Sequence, residues 1–186
     1  MKTDETVQLR LATVDDAAAM LAIYAPYVEE TTVTFEYETP SLAEFAARFA
    51  AVTACFPWYA AVCGGEVVGY AYADRAFARA AYQWDADLSI YLAPAAKGRG
   101  AGRALYARLE SDLQAMGYCT AYALVTGENA ASAAFHRSLG YALRAVLPAA
   151  GYKQGRWLDL YWYEKALCDK PQQPAAPLPF SALAGK

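Results

Sequence analysis

Hydrophobic and polar residues alternate along this chain with two periods, one typical of strands and the other typical of helices. Alternation at every second position over residues 7–13 predicts a first strand, whereas apolar residues at helical spacing predict helices over residues 15–30 and 102–116. Ser41 stands three residues before Glu44, a capping-box spacing that predicts the start of another helix.

The rest of the chain is predicted to be rich in strands. Gly64 and Gly65 separate two apolar runs and so predict a β-hairpin. Asn129 is placed to cap a short helix that ends at Gly140. The order of strands and helical crossovers indicates one mixed α/β domain, expected over residues 1–168. The predicted strands of this part are residues 58–63, 66–73, 82–92, 119–126, 141–150 and 156–164.

Residues 169–186 have the composition of a tail. Four prolines fall there among small and polar residues, and such a composition supports neither a helix nor a central strand. We therefore expect this segment to be a mobile C-terminal tail.

Composition narrows the classes of function. The chain has 186 residues, a formal charge of -3 and 19% charged residues, which argues against a nucleic-acid-binding surface. Its one histidine and four scattered cysteines lack the spacing of a zinc site, so no metal is expected. The charged N-terminus is followed by no apolar segment, and no stretch reaches the about 18 apolar residues of a membrane span. We expect a soluble, cytoplasmic protein with free thiols and no membrane partner.

A glycine-rich turn before the helix at 102–116 is the first candidate for chemistry. Its sequence is Lys97-Gly98-Arg99-Gly100-Ala101-Gly102, and Arg103 follows. Glycines let a backbone approach a bulky anion, a helix N-terminus offers unpaired N–H groups, and the three cations add positive charge. The turn therefore has the chemistry of a pyrophosphate cradle, although a basic turn that only begins a helix has the same pattern.

The strand before this turn carries carboxylates on one face. From Gln83 to Leu92 the even positions are apolar, and the odd positions include Asp85 and Asp87. Two residues along a strand span roughly 6.6 Å, so each carboxylate is predicted to raise the other's pKa toward the range of a general base. An ordinary solvated strand face is the alternative interpretation.

These motifs, in this order, resemble the GNAT superfamily of N-acetyltransferases over residues 7–167. The turn is similar to that family's acetyl-CoA loop, and the helix that Asn129 begins is similar to its second motif. The resemblance implies a GNAT fold, which is α/β with a single mixed, mostly antiparallel central sheet flanked by helices. Three runs resemble more narrowly the phosphinothricin and methionine sulfoximine acetyltransferase branch, namely residues 79–84, 136–141 and 150–159.

The resemblance implies direct transfer of an acetyl group from acetyl-CoA to the α-amine of a small amino-acid-like acceptor. Attack needs a neutral amine, so a base must take its proton, and the leaving thiolate benefits from a proton donor. The family's glutamate base corresponds to Asp87, which is one methylene shorter, so a water relay or Asp85 would share the work. His136 is implied as a donor to the thiolate or an orienter of the pantetheine, and a helix histidine packed beside Phe135 is the alternative.

Two sets of binding residues are also implied by the resemblance. The sequence differs from the phosphinothricin branch at two of these positions or beside them. Glu36 stands where the branch has a cation, and Lys97 stands where the acetyl-CoA loop has a Gln or Arg. The residues implied in acetyl-CoA binding are Ile90, Tyr91, Leu92, Lys97, Gly98, Arg99, Gly100, Ala101, Gly102, Arg103 and Asn129. The residues implied in the acceptor pocket are Phe35, Arg79, Tyr82, Lys153 and Trp157.

The same resemblance implies a homodimer that uses acetyl-CoA as co-substrate and a small-molecule amine as substrate. A protein or peptide N-acetyltransferase is an alternative with the same chemistry, and it would need an open groove instead of a closed pocket. A non-catalytic acyl-CoA-binding module is the alternative of a different class, because aspartate stands where the family has its glutamate.

Overall fold

One seven-stranded sheet runs through the structure, a computed structural model that describes residues 6–183. The strand order is β1-β2-β3-β4-β5-β7-β6, and all neighbours are antiparallel except β4 and β5. The mixed, mostly antiparallel sheet agrees with the prediction. The strands are β1 Gln8–Leu11, β2 Trp58–Cys63, β3 Glu66–Arg75, β4 Asp85–Leu92, β5 Thr120–Thr126, β6 Ala142–Lys153 and β7 Arg156–Ala166.

Helices cover both faces of the sheet. One core cluster holds α1 and α2 against one face, around Met20, Phe45 and Trp58. A second cluster holds α3 and α4 against the other face, around Leu105 and Leu109. The α-helices of the described chain are α1 Ala17–Glu30, α2 Leu42–Thr53, α3 Ala101–Met116 and α4 Ala130–Ser138.

Capping side chains and a glycine account for three of the predicted helix ends. Ser41 and Glu44 form the capping box, with the Ser41 backbone N–H donating to the Glu44 carboxylate at 2.8 Å. The Ser132 N–H donates to the Asn129 side chain at 3.0 Å, so Asn129 caps α4. Gly117, with φ of 96°, ends α3 in the left-handed region that favours glycine.

The strand predicted over 82–92 begins later than its alternating pattern indicated. Residues Ala80–Tyr82 form a turn of 3-10 helix, in which the Tyr82 N–H donates to the Arg79 carbonyl at 3.0 Å. Pairing of β4 with β3 brings Arg75 opposite Ala86. Tyr82 therefore lies before the sheet, not within it.

The predicted tail lies against the domain over its described part. The Trp84 Nε1 donates to the Ala175 carbonyl, and the Leu178 and Phe180 backbone N–H groups donate to Met116 and Cys55, each at 2.8 Å. One turn of 3-10 helix, Phe180–Ala182, packs beside the core of the α3 face. The segment is thus anchored where the composition predicted a mobile tail, and residues 184–186 of that prediction lie outside the described residues.

Residues 6–183 contain no candidate membrane-spanning helix and no candidate metal cluster. No helix in this range is both long and apolar enough to cross a membrane. No group of three or more His, Cys, Asp and Glu residues in it could hold a metal ion.

Candidate active site

A gap between β4 and β5 forms the main candidate site. The two strands pair in parallel only over Asp85–Asp87 and Thr120–Tyr122, and then they separate. A cavity of about 260 Å³ lies beyond this point, with Tyr106 of α3 and His136 of α4 in its lining. Since β3 pairs with β4 as far as Leu92, the open edge of β4 is the one that faces β5.

Asp87 lies where the two strands separate, and it lines this cavity. Burial, together with the neighbouring Asp74 carboxylate, raises the pKa of Asp87 to about 7, against an opposing effect of the Leu88 backbone N–H. The Oδ1 atom is buried and has no hydrogen-bond partner in the described part of the chain. A carboxyl group that is partly ionised at neutral pH and has an open acceptor atom has the properties of a general base.

Asp85, predicted to share the work of Asp87, does not line this cavity. It lies near Trp84, Cys119 and Lys170 in a separate depression at the start of β4. The carboxylate that acts on Asp87 is Asp74, directly opposite on β3. Sequence alternation along one strand cannot show this partner, because it depends on the register between two strands.

His136 lines the cavity, and both of its ring nitrogens have partners within the protein. Nδ1 is 2.8 Å from the Ser132 carbonyl oxygen, and Nε2 is 2.9 Å from the Tyr106 hydroxyl. Because a carbonyl only accepts, Nδ1 carries the proton of the neutral ring and Nε2 accepts from Tyr106. Burial lowers the pKa of His136, which keeps the ring neutral at pH 7.

Tyr106 is a cavity residue that the sequence analysis did not identify. It is fully buried, and its hydroxyl also lies 3.3 Å from the Leu88 carbonyl oxygen. Burial raises its pKa well above the usual tyrosine value, so the hydroxyl stays protonated. Its position beside Leu105 on the buried face of α3 was the only available signal, and that signal indicates core packing equally well.

A second cavity of about 340 Å³ continues the first toward the glycine-rich turn. The two share Val33, Ile90, Asn129 and Ser132 in their lining, so together they form one groove along the open edge of β4. Lys97 and Gly98 line its outer end. Three predicted acetyl-CoA residues and the start of the predicted loop therefore meet in one place.

The glycines of the turn are required by the backbone. Gly98 and Gly100 have φ of 76° and 82°, in the left-handed region, and no atom lies within 4 Å of a Cβ built at either position. A Cβ at Gly102 would lie 3.2 Å from the Phe135 ring and 3.3 Å from Ile90, because α3 approaches α4 and β4 closely there. Ala101 begins α3 and is buried. The turn thus presents the N-terminus of a 16-residue helix at the end of the groove.

Several of the predicted acetyl-CoA side chains and backbone groups have partners within the protein. Lys97 places its ammonium group 5.2 Å from the centre of the Tyr27 ring, and Tyr27 donates its hydroxyl to the Leu92 carbonyl at 2.6 Å. Arg103 donates to the Ser138 hydroxyl at 3.2 Å and so links α3 to α4. Arg99 is directed to the Cys63 sulfur at 3.8 Å. Tyr91 packs edge-on against the Tyr24 ring at 4.7 Å.

Of the predicted acceptor residues, Phe35 lines the central cavity. Its ring lies against Gly151, where a Cβ would overlap it. Lys153 does not line the cavity. It is 3% exposed, and its ammonium group donates to the carbonyls of Val28 at 2.7 Å and Thr34 at 2.8 Å. Lys153 therefore connects the β6–β7 hairpin to α1 and to the segment after it.

The remaining predicted acceptor residues lie on the surface of this chain. Tyr82 is 44% exposed and packs against Phe77, whereas Trp157 is 66% exposed and packs against Tyr152. Arg79 is exposed at the start of the same turn as Tyr82. None of the three lines the central cavity, so the structure does not bring the predicted acceptor set together.

Comparison with known proteins identifies the class to which this site belongs. Residues 9–162 match the family model described as an acetyltransferase (GNAT) domain. The chain therefore belongs to the GNAT family of acetyltransferases. It is an acetyl-CoA-dependent N-acetyltransferase, and the predicted family, fold, enzyme class and co-substrate are confirmed.

Within this family, the chain is similar to enzymes named for small acceptors. It is 34% identical to a phosphinothricin N-acetyltransferase of Streptomyces viridochromogenes, over 92% of this chain and 94% of the relative. It is 33% identical to the L-methionine sulfoximine/L-methionine sulfone acetyltransferase of Salmonella typhimurium, over 86% and 94% respectively.

Solved structures show the same fold. The phosphinothricin acetyltransferase of Sinorhizobium meliloti, solved in complex with AcCoA, matches with a TM-score of 0.88 and 36% identity over 93% of this chain and 95% of that one. A ribosomal-protein-alanine N-acetyltransferase from Brucella melitensis matches with a TM-score of 0.77 and 34% identity, over 86% of this chain and 99% of that one.

Proposed function

We propose that this protein transfers the acetyl group of acetyl-CoA directly to the α-amine of a small amino-acid-like acceptor. The relatives named for phosphinothricin and for methionine sulfoximine and sulfone support this class of acceptor. The observation that carries the mechanism is the position of Asp87, whose open carboxylate oxygen lies at the point where β4 and β5 separate.

The groove fits acetyl-CoA by its chemistry. Gly98 and Gly100 allow an anion to approach backbone N–H groups, and the N-terminus of α3 favours the negative charge of a pyrophosphate. Ile90 and Asn129 line both cavities of the groove, where the pantetheine arm would lie. Acetyl-CoA would supply the acetyl group as a thioester, with a thiolate as the leaving group.

Asp87 acts as the base in this proposal. An ammonium acceptor first loses one proton to solvent, and Asp87 takes the second proton from the nitrogen as this atom forms its bond to the thioester carbonyl carbon. The carbon–sulfur bond then breaks. The proton that Asp87 took from the nitrogen neutralises the departing thiolate. A base whose pKa is about 7 is partly ionised at neutral pH and still binds the proton it receives.

Tyr106 is the group we assign to the leaving thiolate. Its hydroxyl stays protonated, and its single proton, donated to His136 Nε2 in the free protein, would turn to the sulfur as negative charge develops there. His136 then has a positioning role, because its Nε2 holds the Tyr106 hydroxyl at 2.9 Å. This assignment replaces direct donation by His136, whose protonated nitrogen is directed to Ser132.

A free-thiol assay with acetyl-CoA and a panel of amines tests the proposal. The panel contains phosphinothricin, methionine sulfone, neutral amino acids and a peptide with a free N-terminal alanine, and mass spectrometry identifies the acetylated product. Thiol release with the small amino acids is the expected result. Release with the peptide alone would instead favour the alternative that the Brucella neighbour suggests.

We also propose that the protein is a homodimer. Strand β6 is the last strand of the sheet, and it exposes Leu143, Val146 and Leu147 by 39–46%. A second copy would cover this apolar edge, which otherwise invites association. Light scattering coupled to size-exclusion chromatography should give twice the chain mass, and Val146→Lys should give a monomer.

Two further sequence predictions remain proposals. One is a cytoplasmic location, which is supported by the finding that none of the four cysteines, all within the described range, forms a disulfide. The other is a domain boundary near residue 168, supported by the end of the last strand at Ala166.

A further inference from the structure

Two of the four cysteines lie side by side where β5 begins. Cys119 is the residue before β5, and its carbonyl accepts from the Leu167 N–H at 2.8 Å, which continues the antiparallel pairing of β5 with β7. Cys168 follows Leu167, and its Sγ lies 3.8 Å from the Tyr118 carbonyl oxygen. The Cys119 thiol has the Cys168 side chain as a hydrogen-bond partner. The two thiols are therefore within reach of each other.

The backbone spacing at this pair is that of a disulfide. Residues directly opposite each other in an antiparallel pair have Cα atoms about 5 Å apart, so the Cα atoms of Cys119 and Cys168, one residue further along, are about 6 Å apart. Disulfides join Cα atoms that are roughly 4.4–6.8 Å apart. Both cysteines are free thiols in this structure. A bond between them requires little movement of the backbone.

The two thiols differ in their access to solvent. Cys168 is exposed, whereas Cys119 is 4% exposed. Burial, followed by the hydrogen bond to Cys168, raises the pKa of Cys119 to about 11, so this thiol is protonated near neutral pH. Cys119 also lines a depression that contains the cation Lys170. A dissolved oxidant would thus meet the Cys168 sulfur first, and the buried thiol beside it could then displace the added group.

We infer that Cys119 and Cys168 form a redox-active pair, which a small-molecule disulfide such as oxidised glutathione converts to a disulfide. The Cys168 thiolate first attacks one sulfur of oxidised glutathione, whose S–S bond breaks, and one glutathione thiol leaves. The Cys119 thiolate then attacks the Cys168 sulfur, and the second glutathione thiol leaves. The two protein thiols lose two electrons and two protons, and oxidised glutathione gains them as two molecules of glutathione.

This bond would anchor the C-terminal segment to the sheet. Residues 169–183 follow Cys168 directly, and the Trp84 side chain holds them by a hydrogen bond to the Ala175 carbonyl. A disulfide at the start of this segment would add a covalent link to β5. It would also close a loop of about 50 residues, which lowers the conformational entropy of the unfolded chain. The oxidised protein should therefore resist unfolding better than the reduced protein.

Mass spectrometry after oxidation tests the inference. The wild-type protein is incubated with oxidised glutathione at pH 8, the remaining thiols are blocked with iodoacetamide, and tryptic peptides are mapped without reduction. The expected product is a pair of peptides in which Cys119 is linked to Cys168. The Tm should rise by about 5 °C or more and return to its starting value after treatment with dithiothreitol.

Substitutions of two exposed cysteines provide a matched comparison. Cys168→Ser should lose both the linked peptides and the rise in Tm, whereas Cys55→Ser should keep both. Cys119→Ala should instead retain one glutathione on Cys168, because the thiol that displaces it is absent. Since Cys119 is buried, that variant could fail to fold, and the exposed Cys168→Ser variant then decides alone.

Three outcomes would overturn the inference. The first is a set of glutathione adducts on single cysteines with no link between Cys119 and Cys168. The second is such a link with an unchanged Tm, and the third is an equal rise in Tm in the Cys168→Ser variant. Neither cysteine lines the groove, and none of these measurements uses acetyl transfer, so the inference stands or falls independently of the proposed function.

Discussion

The cofactor side and the acceptor side of this site are built in different ways. The cofactor side is a continuous stretch, residues 97–103, with one open strand edge and one helix cap at Asn129. The proposed acceptor side brings together Phe35, Asp74 and Asp87, which lie far apart in the chain. In the proposed function, backbone groups whose geometry glycines permit would bind the cofactor, whereas side chains that only the folded chain brings together would bind the acceptor.

The largest effect is expected at Asp87, where the two sides meet. Asp87→Ala should lower kcat by roughly 10² to 10⁴, the range for loss of a general base, and leave the KM for acetyl-CoA unchanged. Asp85→Ala is the control and should stay within a few-fold of wild type, because Asp85 lies outside the cavity. Steady-state kinetics with both substrates varied measures this, and near-normal turnover of Asp87→Ala would remove the residue from its role.

Glycine substitutions separate backbone strain from cofactor binding. Gly100 and Gly65 have φ of 82° and 83°, and neither has an atom near a built Cβ. Alanine at either position should cost about 1–2 kcal/mol of stability, since both force a left-handed residue. Only Gly100→Ala should also raise the KM for acetyl-CoA, by about tenfold, because only Gly100 lies at the helix N-terminus. Equal KM values in the two variants would argue against the loop as the anion site.

The pH dependence of kcat/KM tests the link between β3 and the base. Asp87 must be ionised to act, and its pKa is raised to about 7, so activity should rise with pH and level off above that value. Asp74→Asn removes a like charge, which should lower the pKa of Asp87 and move the acid limb to lower pH. Other groups close to Asp87 are Tyr72 and Tyr106, which stay protonated over this range. An unmoved acid limb would exclude Asp74 as the partner.

The free energy of unfolding should depend on the same ionisation of Asp87 as the activity does. It should fall as pH rises, whereas the activity rises. A carboxyl group with a raised pKa in the folded state favours folding at low pH, and this contribution is lost as pH rises toward 7. Asp87→Asn should therefore raise the free energy of unfolding more at pH 8 than at pH 5. Urea denaturation at the two pH values measures the difference, and a larger gain at pH 5 would contradict a raised pKa.

The smallest effect on catalysis is expected at Lys153. Lys153→Met leaves the Val28 and Thr34 carbonyls without their donor, which should cost about 1–3 kcal/mol of stability. The KM for the acceptor should stay within a few-fold of wild type. Lys170→Met, at an exposed position, is the control for loss of a positive charge. A large rise in acceptor KM at unchanged stability would restore Lys153 to the acceptor pocket.

Much of the fold and of the cofactor side could be predicted from the sequence because the signals are local. Alternation placed β4, helical spacing placed α3, and the side chains of Ser41 and Asn129 mark helix starts within one turn of themselves. The glycines at 98 and 100 are needed by their own φ angles. Each of these inferences depends on residues fewer than about five positions apart.

The acceptor side could not be predicted from the sequence, because its contacts join residues that lie far apart in the chain. Asp74 meets Asp87 through strand register, Tyr106 meets His136 across two helices, and Lys153 reaches a carbonyl more than a hundred residues earlier. Periodicity also cannot tell that Tyr82 belongs to a turn, because an aromatic residue before a strand matches the strand pattern. The contacts of residues 169–183 with the domain could not be predicted for a similar reason, since they join this segment to Cys55, Trp84 and Met116, which lie far away in the sequence.

The short pairing of β4 with β5 has a consequence for the evolution of this enzyme's sequence. An exposed sheet edge ordinarily favours aggregation, because a strand of another molecule can pair with it. Here the unpaired edge of β4 lies within the fold. The groove runs along that edge, so main-chain groups, which every substitution except one by proline retains, are available to the amide-bearing arm of the co-substrate. Side chains on the opposite wall can then change, and with them the acceptor specificity, while acetyl-CoA binding is retained. The separation of β4 from β5 thus keeps the cofactor site independent of the acceptor site.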